Sequence, residues 1–336
     1  MPCDMPVTVD RGRYQDAVTP WEEPAWRTEA IGWIEARLAA HGLRPTGRWR
    51  VRLRPWSVLL RLCVGKGDAV WFKASPPAGA FEGALTASLA RWVPGHVLEP
   101  LAVDAARGWS LLPDGGPLFR DVLVRERVGP GDWEELLRQY AVMQHALTPR
   151  ASEIERLGVP AGPTVSAGAP AGVLGRLDTA PLSAPDRAAL RELRPRLLDW
   201  CAELTALGVP DSLDHADLHD GQLFRPAPGR FTFFDWGDAV VAQPFSSLAV
   251  PARRAAERYG PQVLPRLRDA YLEPWTGEGR TAAQLRRAVR LAWRLSALNR
   301  AAAYGRLFPG VSGAAGAATA AAGARCLLEL LDEPPL

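Results

Sequence analysis

The segment that most constrains the fold is residues 215–238, which read HADLHDGQLFRPAPGRFTFFDWGD. Two short runs with strand character, Gln222–Arg225 and Arg230–Phe234, are separated by the turn formers of residues 226–229, Pro-Ala-Pro-Gly. Proline and glycine at these positions favour a tight turn, so the segment predicts a β-hairpin. Because a hairpin folds back on itself, the two ends of the segment are expected to meet.

Acidic and amide side chains stand at both ends of this predicted hairpin. Asp217 and Gln222 come at its start and Asp235 at its end, so two carboxylates and one amide oxygen are expected at the same place. Hard oxygen ligands of this kind suit Mg²⁺, which takes one or two carboxylates and leaves its other positions to phosphates and water. The segment therefore predicts a metal site and points to nucleotide chemistry.

The length and composition are typical of a globular protein. The 336 residues suffice for one large domain or two lobes, with 47% hydrophobic and 23% charged residues. The four cysteines are far apart and form no CxxC pair, so we expect no disulfide framework or zinc site and predict a reducing cytoplasm. No stretch resembles a signal peptide or a membrane span, so no membrane partner is expected.

Lysine is rare in this chain, which has 40 basic residues and only two lysines, Lys66 and Lys73. Most basic positions therefore accept arginine, and a lysine that persists can indicate a need for its compact ammonium group, which arginine does not imitate. Lys66 lies in a GKGD turn, where an exposed lysine without a special role is expected. Lys73 lies inside the predicted strand 69–74 and is predicted to be functional.

The first third of the chain predicts a sheet with one crossing helix. Alternating apolar residues indicate strands, and apolar residues at helical spacing indicate helices. The predicted elements are a helix over 24–43, strands over 49–53, 58–64 and 69–74, a helix over 81–92, and strands over 97–103 and 109–112.

After the Pro-Asp-Gly-Gly sequence of residues 113–116 the pattern becomes mainly helical. Helices are predicted over 132–147, 185–207, 253–272, 281–307 and 314–331, with a loop over 157–175. The fold class is therefore α+β and bilobal. A small antiparallel-sheet N-lobe, residues 1–113, is joined by a short hinge to a larger helical C-lobe, residues 114–336.

The sequences HADLHDGQ and FFDWGD resemble the catalytic segment of the aminoglycoside phosphotransferase and choline kinase family. That family has the pattern H-x-D-x-x-x-x-N, then a hairpin, then a metal-binding aspartate. The likeness runs from about Trp49 through RPWSVLLRL, VWFKA and FEGALT to PFSSL at 244–248. It implies a protein-kinase-like fold and an enzyme that transfers the γ-phosphate of ATP, with Mg²⁺, to a hydroxyl of a small molecule such as an antibiotic, a sugar or another metabolite.

The resemblance implies separate roles for four residues. Asp217 would be the catalytic carboxylate that orients the acceptor hydroxyl and takes its proton, and Asp235 would bind Mg²⁺. Lys73 would contact the α- and β-phosphates. Gln222 occupies the place of the family's metal-binding asparagine. The alternatives are a loop cap for Asp217, a hairpin-end acid for Asp235 and a partly exposed strand lysine for Lys73.

Further nucleotide contacts follow from the same resemblance. Glu82 would pair with Lys73 and hold it straight; the alternative is a solvated acid at the start of a helix. Ser57 and its neighbouring amides, in place of a glycine-rich loop, would contact phosphate. Main-chain groups near Leu112 to Asp114 would contact the edge of adenine.

The remaining polar residues of the segment have a structural interpretation. His215 and His219 are expected to stabilise the catalytic loop by hydrogen bonds, and Asp220 and Asp238 to stabilise the surrounding loops. Gln222 is the main departure from the family pattern, because its amide stands one methylene further out than that of asparagine. The alternative function is therefore a catalytically impaired kinase-like protein that binds nucleotide or a partner.

The charge distribution bears on the acceptor. Residues 251–325 contain 13 arginines against four acidic residues, which argues against a strongly cationic acceptor and fits a solvated basic face equally well. The net charge is only +3 and no aromatic platform accompanies the arginines, so no nucleic-acid partner is expected. A protein kinase is disfavoured because no APE-like motif follows Asp235. The sequence leaves the oligomeric state open.

Overall fold

The structure is a computed structural model that describes residues 8–12, 17–46, 49–65, 68–162, 178–277, 279–307 and 313–336. It has a five-stranded antiparallel sheet near the N-terminus and a mainly helical region after it, which confirms the predicted fold class. Lys66 and most of the predicted loop 157–175 lie outside the described residues.

The N-terminal region contains two helices and one sheet. Its elements are α1 (Pro24–Ala40), β1 (Arg50–Arg54), β2 (Ser57–Cys63), β3 (Ala69–Ala74), α2 (Glu82–Trp92), β4 (Ala102–Asp104) and β5 (Trp109–Pro113). The strand order is β1-β2-β3-β5-β4, and every neighbouring pair is antiparallel.

One face of this sheet is buried against α1. The Trp33 ring of α1 lies 5.9 Å from that of Phe72 and 5.8 Å from that of Trp109, measured between ring centroids. Leu60 and Leu111 face the same core. Because successive side chains of a strand point to opposite faces, the residues between these core positions face away from α1. That second face carries Lys73.

The predicted strand 97–103 is wrong over most of its length, because only Ala102–Asp104 joins the sheet. Pro100 interrupts the run, and proline has no N–H to donate to a ladder. Val97 forms an isolated bridge with Phe233 instead, and the Phe233 N–H donates to His96 O at 2.8 Å. The segment thus connects the N-terminal region to the hairpin.

The C-terminal region is built from helices around two small antiparallel strand pairs. Its elements are α3 (Phe119–Arg125), α4 (Pro130–Leu147), α5 (Ala151–Arg156), α6 (Ala184–Ala206), β6 (Ser212–Asp214), β7 (Leu223–Ala227), β8 (Arg230–Phe233), β9 (Val240–Ala242), α7 (Ala249–Tyr259), α8 (Leu264–Leu272), α9 (Ala282–Leu307) and α10 (Gly313–Leu328). Strands β7 and β8 form the predicted hairpin, and β6 pairs with β9. Within the described residues, no helix is both long and apolar enough to cross a membrane.

The single helix predicted over 253–272 is wrong, because the structure has two helices there. Helix α7 ends at Gly260, whose φ of +88° is a conformation that only glycine adopts readily. Pro261 follows and cannot continue the helical hydrogen bonds. The apolar periodicity continues across this break, which is why the pattern alone did not reveal it.

Helix α2 connects the two regions. Its apolar residues Phe81, Leu85 and Leu89 belong to the large core of the helical region. Its acidic residue Glu82 points the other way, towards Lys73 of the sheet. The position of α2 therefore couples the sheet to the helical core.

Candidate active site

Lys73 and Glu82 form a buried ion pair between β3 and α2. The Lys73 Nζ lies 2.6 Å from Glu82 Oε1, and Ser75 Oγ donates to Glu82 Oε2 at 2.7 Å. Both charged residues are almost fully buried, at 9% and 6% exposure. The predicted pair is thus confirmed, and Glu82 is not the solvated helix-start acid of the alternative.

Asp235 meets the same lysine from the helical region. It follows β8 in the left-handed conformation, with φ of +66°, and its carboxylate contacts the Lys73 ammonium. Burial alone would lower the pKa of Lys73, but the carboxylates of Asp235 and Glu82 raise it well above its ordinary value. Burial would raise the pKa of Asp235, and the Lys73 charge holds it below its ordinary value. The lysine is therefore a fixed cation between two carboxylates.

Asp217 lies in the loop between β6 and β7, with its side chain 44% exposed to the cleft. Gln222 Nε2 donates to Asp217 Oδ2 at 3.4 Å. Burial raises the pKa of Asp217 to about 6, and the nearby Asp235 carboxylate adds to this effect. The hairpin thus brings Asp217, Gln222 and Asp235 together as predicted. The Gln222 amide nitrogen, rather than its oxygen, faces Asp217.

Asp214 is a functional candidate that the sequence reasoning missed. It is 1% exposed, and its Oδ1 accepts hydrogen bonds from Ser247 Oγ at 2.6 Å and from the Ala216 N–H at 2.9 Å. Asn299 Nδ2 donates to Asp214 Oδ2 at 3.2 Å. Ala216, immediately before Asp217, has φ of +63°, a strained conformation for alanine. Asp214 therefore fixes the backbone that carries Asp217.

His215 stabilises the loop from within, as predicted. Its Nε2 lies 2.9 Å from Phe234 O, so Nε2 carries the proton and donates. Its backbone N–H donates to the Tyr140 hydroxyl at 3.1 Å. Burial lowers the pKa of His215 to about 4, so the ring is neutral at pH 7. His215 thus joins the loop between β6 and β7 to the residue that precedes Asp235.

The outer side of the loop is held by a second set of contacts. Arg120 Nε of α3 lies 2.7 Å from Asp220 Oδ2, and Arg120 Nη2 lies 3.4 Å from His219 Nδ1. The Gly221 N–H donates to the same His219 nitrogen at 3.0 Å. The predicted structural roles of Asp220 and His219 are confirmed by these bonds. Asp238 lies in the 3-10 turn after Asp235, and its role stays a prediction.

Ser57 and Leu112 lie on the same sheet face as Lys73. Leu59 is directly opposite Lys73 in the ladder, and Ser57 is two residues before Leu59. Leu112 is opposite Trp71, which is two residues before Lys73. The period of two places all of these side chains on one face. Their predicted contacts with nucleotide remain predictions.

Asp114 is largely occupied by contacts within the protein. Its N–H donates to Ala69 O at 3.2 Å, and its Oδ1 accepts from the Gly116 N–H at 3.0 Å. Its Oδ2 lies 3.4 Å from both Arg61 Nη2 and Trp71 Nε1. Its main chain can therefore offer an adenine edge only the carbonyl oxygen, since the N–H already has an acceptor.

An aromatic group that the sequence reasoning did not use lies beside this hinge. The rings of Phe224 and Phe234 stack at 4.4 Å. A Cβ atom added to Gly115 would lie 2.2 Å from the Phe224 ring, so only glycine fits there. Trp71 contacts Asp114 and Phe224 packs on Gly115, so aromatic rings from the sheet and from the hairpin meet the hinge at successive residues. Trp71 lies two residues before Lys73 and therefore on the same face of the strand. This spacing could have revealed an aromatic ring on the face that carries Lys73.

The arginines of residues 251–325 are mostly bound to carboxylates. Arg287 binds Glu203 through two bonds of 2.6 and 2.7 Å, and Arg300 binds Glu329 through two of 2.9 and 2.6 Å. Nine of them form ion pairs: Arg253, Arg254, Arg266, Arg268, Arg286, Arg287, Arg290, Arg294 and Arg300. The arginine excess therefore has a structural explanation, and it gives no information about the charge of an acceptor.

The metal ligands available in the cleft are few. Among the described residues, no three His, Cys, Asp or Glu side chains are grouped to hold a metal ion. Asp235 and Asp217 supply carboxylates, and the Gln222 amide lies between them. One or two carboxylates are the usual protein contribution to Mg²⁺ when phosphates complete the coordination. The donor set thus fits a nucleotide-bound cation better than a cation held by protein alone.

No family model and no curated protein matches this sequence. Solved structures do match it. A macrolide 2'-phosphotransferase from Brachybacterium faecium is 19% identical with a TM-score of 0.52, over 85% of this chain and 100% of that chain. The Plasmodium vivax ethanolamine kinase is 12% identical with a TM-score of 0.53, over 85% and 82% of the two chains.

A third match is an aminoglycoside 2'-phosphotransferase solved as a GDP complex. It is 13% identical to this chain with a TM-score of 0.52, over 82% of this chain and 91% of the other. At such identities the likeness concerns the fold. The chain therefore has the protein-kinase-like fold found in macrolide and aminoglycoside phosphotransferases and in ethanolamine kinase.

Proposed function

We propose that this protein is an ATP-dependent phosphotransferase that moves the γ-phosphate of ATP to a hydroxyl of a small molecule. The observation that carries the proposal is the meeting of Lys73, Asp235 and Asp217 in one cleft. These three residues come from the sheet, the end of the hairpin and the catalytic loop. Phosphoryl transfer depends mainly on positioning and charge stabilisation, and this set provides both.

Asp217 is the residue that handles the acceptor proton. As the acceptor oxygen bonds to the γ-phosphorus and the bond to ADP breaks, the hydroxyl proton passes to the Asp217 carboxylate. A pKa of about 6 makes Asp217 a stronger base than an ordinary aspartate while it remains ionised at pH 7. Its 44% exposed side chain leaves room for the acceptor to approach.

Lys73 is the residue that binds the phosphates of the donor. Its ammonium is held in place by Glu82, which itself is fixed by Ser75 at 2.7 Å. A compact ammonium suits a phosphate contact in a space this enclosed. The same ammonium contacts Asp235, and the phosphate oxygens of a bound nucleotide would compete with this carboxylate for it.

Asp235 is the residue that fits a Mg²⁺ ion, because its carboxylate already contacts a cation in this structure. The family resemblance predicted Gln222 as a second ligand, but its amide nitrogen, rather than its oxygen, faces Asp217 in this structure. When bound, Mg²⁺ neutralises charge on the β- and γ-phosphates. The low pKa of Asp235 keeps the carboxylate ionised and ready for such a cation.

The aromatic rings at the hinge are suited to the base of the nucleotide. Trp71 lies on the sheet side and the stacked pair of Phe224 and Phe234 on the hairpin side. Stacking between aromatic rings and a base contributes about 1–3 kcal/mol per base. An aminoglycoside phosphotransferase of the same fold was solved with GDP, which supports a nucleotide as a ligand of this fold.

The test is a screen of antibiotics, sugars and other hydroxylated metabolites for ADP formation from Mg-ATP. We expect at least one acceptor to give turnover, and Asp217→Ala to abolish it. Calorimetry with Mg-ATP tests nucleotide binding separately. Turnover that survives Asp217→Ala would disprove the mechanism, and the absence of Mg-ATP binding would disprove the function.

A further inference from the structure

Two side chains of the catalytic loop approach the same oxygen of Asp217. Gln222 Nε2 lies 3.4 Å from Oδ2, and His219 Nε2 lies 3.6 Å from it. The second separation is longer than a hydrogen bond and is within reach of one after a small rotation. Contacts of this length in an active site without substrate commonly shorten when substrate binds. Both contacts are to Oδ2 rather than to Oδ1.

The proton position on His219 is fixed by its neighbours. The Gly221 N–H donates to His219 Nδ1 at 3.0 Å, and Arg120 Nη2 lies 3.4 Å from the same atom. Both neighbours are donors, so Nδ1 accepts and Nε2 carries the hydrogen. The hydrogen on Nε2 therefore lies on the side of the ring that faces Asp217.

The amide of Gln222 has a comparable arrangement. Its main chain is fixed by two bonds, from its N–H to His219 O at 2.9 Å and from the Phe234 N–H to its own O at 3.2 Å. The side chain donates to Asp217 Oδ2 at 3.4 Å. An NH₂ group donates and does not bind a cation. To bind a cation, Gln222 would have to turn its oxygen into the site and give up its bond to Asp217.

We propose that Gln222 and His219 are positioning residues that hold Oδ2 of Asp217, so that Oδ1 faces the acceptor hydroxyl. The proposal rests on the proposed phosphotransferase function and assigns Gln222 a role other than metal binding. A carboxylate held by donors on one oxygen cannot rotate freely about its Cβ–Cγ bond. A fixed orientation of the base favours proton transfer, because it lowers the entropy cost of reaching the reactive geometry.

Substitution of Gln222 separates the two roles. Gln222→Glu keeps an oxygen ligand and loses the amide hydrogens, whereas Gln222→Met has the same length and neither function. If Gln222 positions Asp217, both variants lower kcat by roughly 10- to 100-fold with little change in KM. The Mg²⁺ dependence of ATP binding, measured by calorimetry, then stays within about threefold of wild type for both. Full kcat in Gln222→Glu together with weakened Mg²⁺ dependence in Gln222→Met would overturn the proposal.

His219 offers a matched pair of variants. Glutamine places an amide nitrogen near the position of Nε2, whereas asparagine reaches only the position of Nδ1. We expect His219→Gln to keep most of kcat and His219→Asn to lose about tenfold. A purely structural role of the ring, which depends on the Nδ1 bond to Gly221, predicts the opposite order.

A measurement without turnover completes the test. Histidine labelled with ¹⁵N should show the His219 ring as the neutral Nε2–H tautomer, and Asp217→Asn should move its Nε2 resonance. An Nδ1–H tautomer, or an Nε2 resonance at the same chemical shift in wild type and Asp217→Asn, would overturn the proposal. If the wild-type protein forms no ADP with any acceptor, the phosphotransferase function fails, and the resonance alone decides whether His219 contacts Asp217.

Discussion

Two aspartates three residues apart, Asp214 and Asp217, show how the buried and the exposed side of the loop between β6 and β7 differ. Asp214 is 1% exposed and accepts hydrogen bonds from Ser247, Ala216 and Asn299 at 2.6, 2.9 and 3.2 Å. Asp217 has a 44% exposed side chain, and its hydrogen bond from Gln222 is long, at 3.4 Å. One carboxylate is fully bonded within the protein, and the other keeps bonding capacity for a ligand.

The comparison shows that both burial and hydrogen-bond partners distinguish the anchoring acid Asp214 from the exposed acid Asp217. Burial raises the pKa of both carboxyl groups. At Asp214 the hydrogen bonds oppose this effect, whereas at Asp217 the neighbouring Asp235 carboxylate adds to it. The anchoring acid holds Ala216 in its left-handed conformation, and that conformation sets the direction of Asp217. The hydrogen bonds of the buried Asp214 thus fix the backbone that orients the exposed Asp217 side chain.

Removal of the open carboxylate should have the largest effect on activity. Asp217→Asn keeps the shape of the side chain and loses the base, so we expect kcat to fall by about 10³-fold. Thermal unfolding should occur at or above the temperature of wild type, because the variant removes a carboxyl group whose pKa is raised in the folded protein. Asp199→Asn, an exposed aspartate of α6, is the matched control. A kcat within tenfold of wild type would show that Asp217 is not the base.

Loss of Lys73 should have the next largest effect. Lys73→Met removes the cation between Glu82 and Asp235, and we expect kcat/KM for ATP to fall by roughly 100-fold. Lys73→Arg should rescue little, since a guanidinium exceeds the space of a residue that is 9% exposed. The only other lysine in the sequence, Lys66, supplies the control variant Lys66→Met. Equal losses in the Lys66 and Lys73 variants would contradict a specific phosphate contact.

The sequence predicted those parts of the site that lie close together in the chain or follow strict periodicity. The hairpin at 222–234 followed from its turn residues, whereas the pair of Lys73 and Glu82 followed from the family resemblance. Asp214 could not be recognised, because its partners Ser247 and Asn299 are distant in the sequence. In the sequence Asp214 is a single acidic residue beside an apolar strand residue, and this pattern does not indicate hydrogen-bond partners that are distant in the chain.

A local arginine count omits partners for a related reason. The excess over residues 251–325 suggested an acceptor that is not strongly cationic, and most of the acids that pair with these arginines lie outside that range. Arg287 binds Glu203 of α6, Arg266 binds Glu134 of α4, and Arg300 binds Glu329. A local charge count cannot include such partners. The helix break at Gly260 was missed because the apolar period continues across it.

The buried carboxylate should matter for stability more than for chemistry. Asp214→Ala leaves the Ser247 hydroxyl, the Asn299 amide and the Ala216 N–H without their acceptor. We expect the free energy of unfolding to fall by about 2–4 kcal/mol in urea denaturation. Ser247→Ala, which removes only one donor, should cost about 1 kcal/mol. Activity of the folded fraction should fall as well, because Ala216 loses the bond that holds its strained backbone.

If Asp214→Ala unfolds at the same urea concentration as wild type, the buried network is not an anchor. Loss of activity with unchanged stability would instead show that Asp214 contributes to the reaction rather than to the stability of the fold. Loss of stability with unchanged kcat would show that Ala216 keeps its conformation without the bond.

The last comparison concerns pH, where His215 and Asp217 act in opposite directions. His215 has a pKa of about 4 in the folded protein against 6.5 ordinarily, so below pH 6.5 the unfolded chain binds a proton that the folded one does not. Its contribution to stability is present above pH 6.5 and is lost as the pH falls to about 4, by roughly 3 kcal/mol at most. Asp217 has a pKa raised from 3.8 to about 6, so its contribution to the stability of the folded protein increases as the pH falls over an overlapping range.

The difference between wild type and His215→Gln isolates the histidine, because glutamine keeps a donor for Phe234 O and does not titrate. Urea denaturation between pH 7.5 and 4 should show wild type losing stability relative to this variant, and parallel curves would contradict a buried neutral His215.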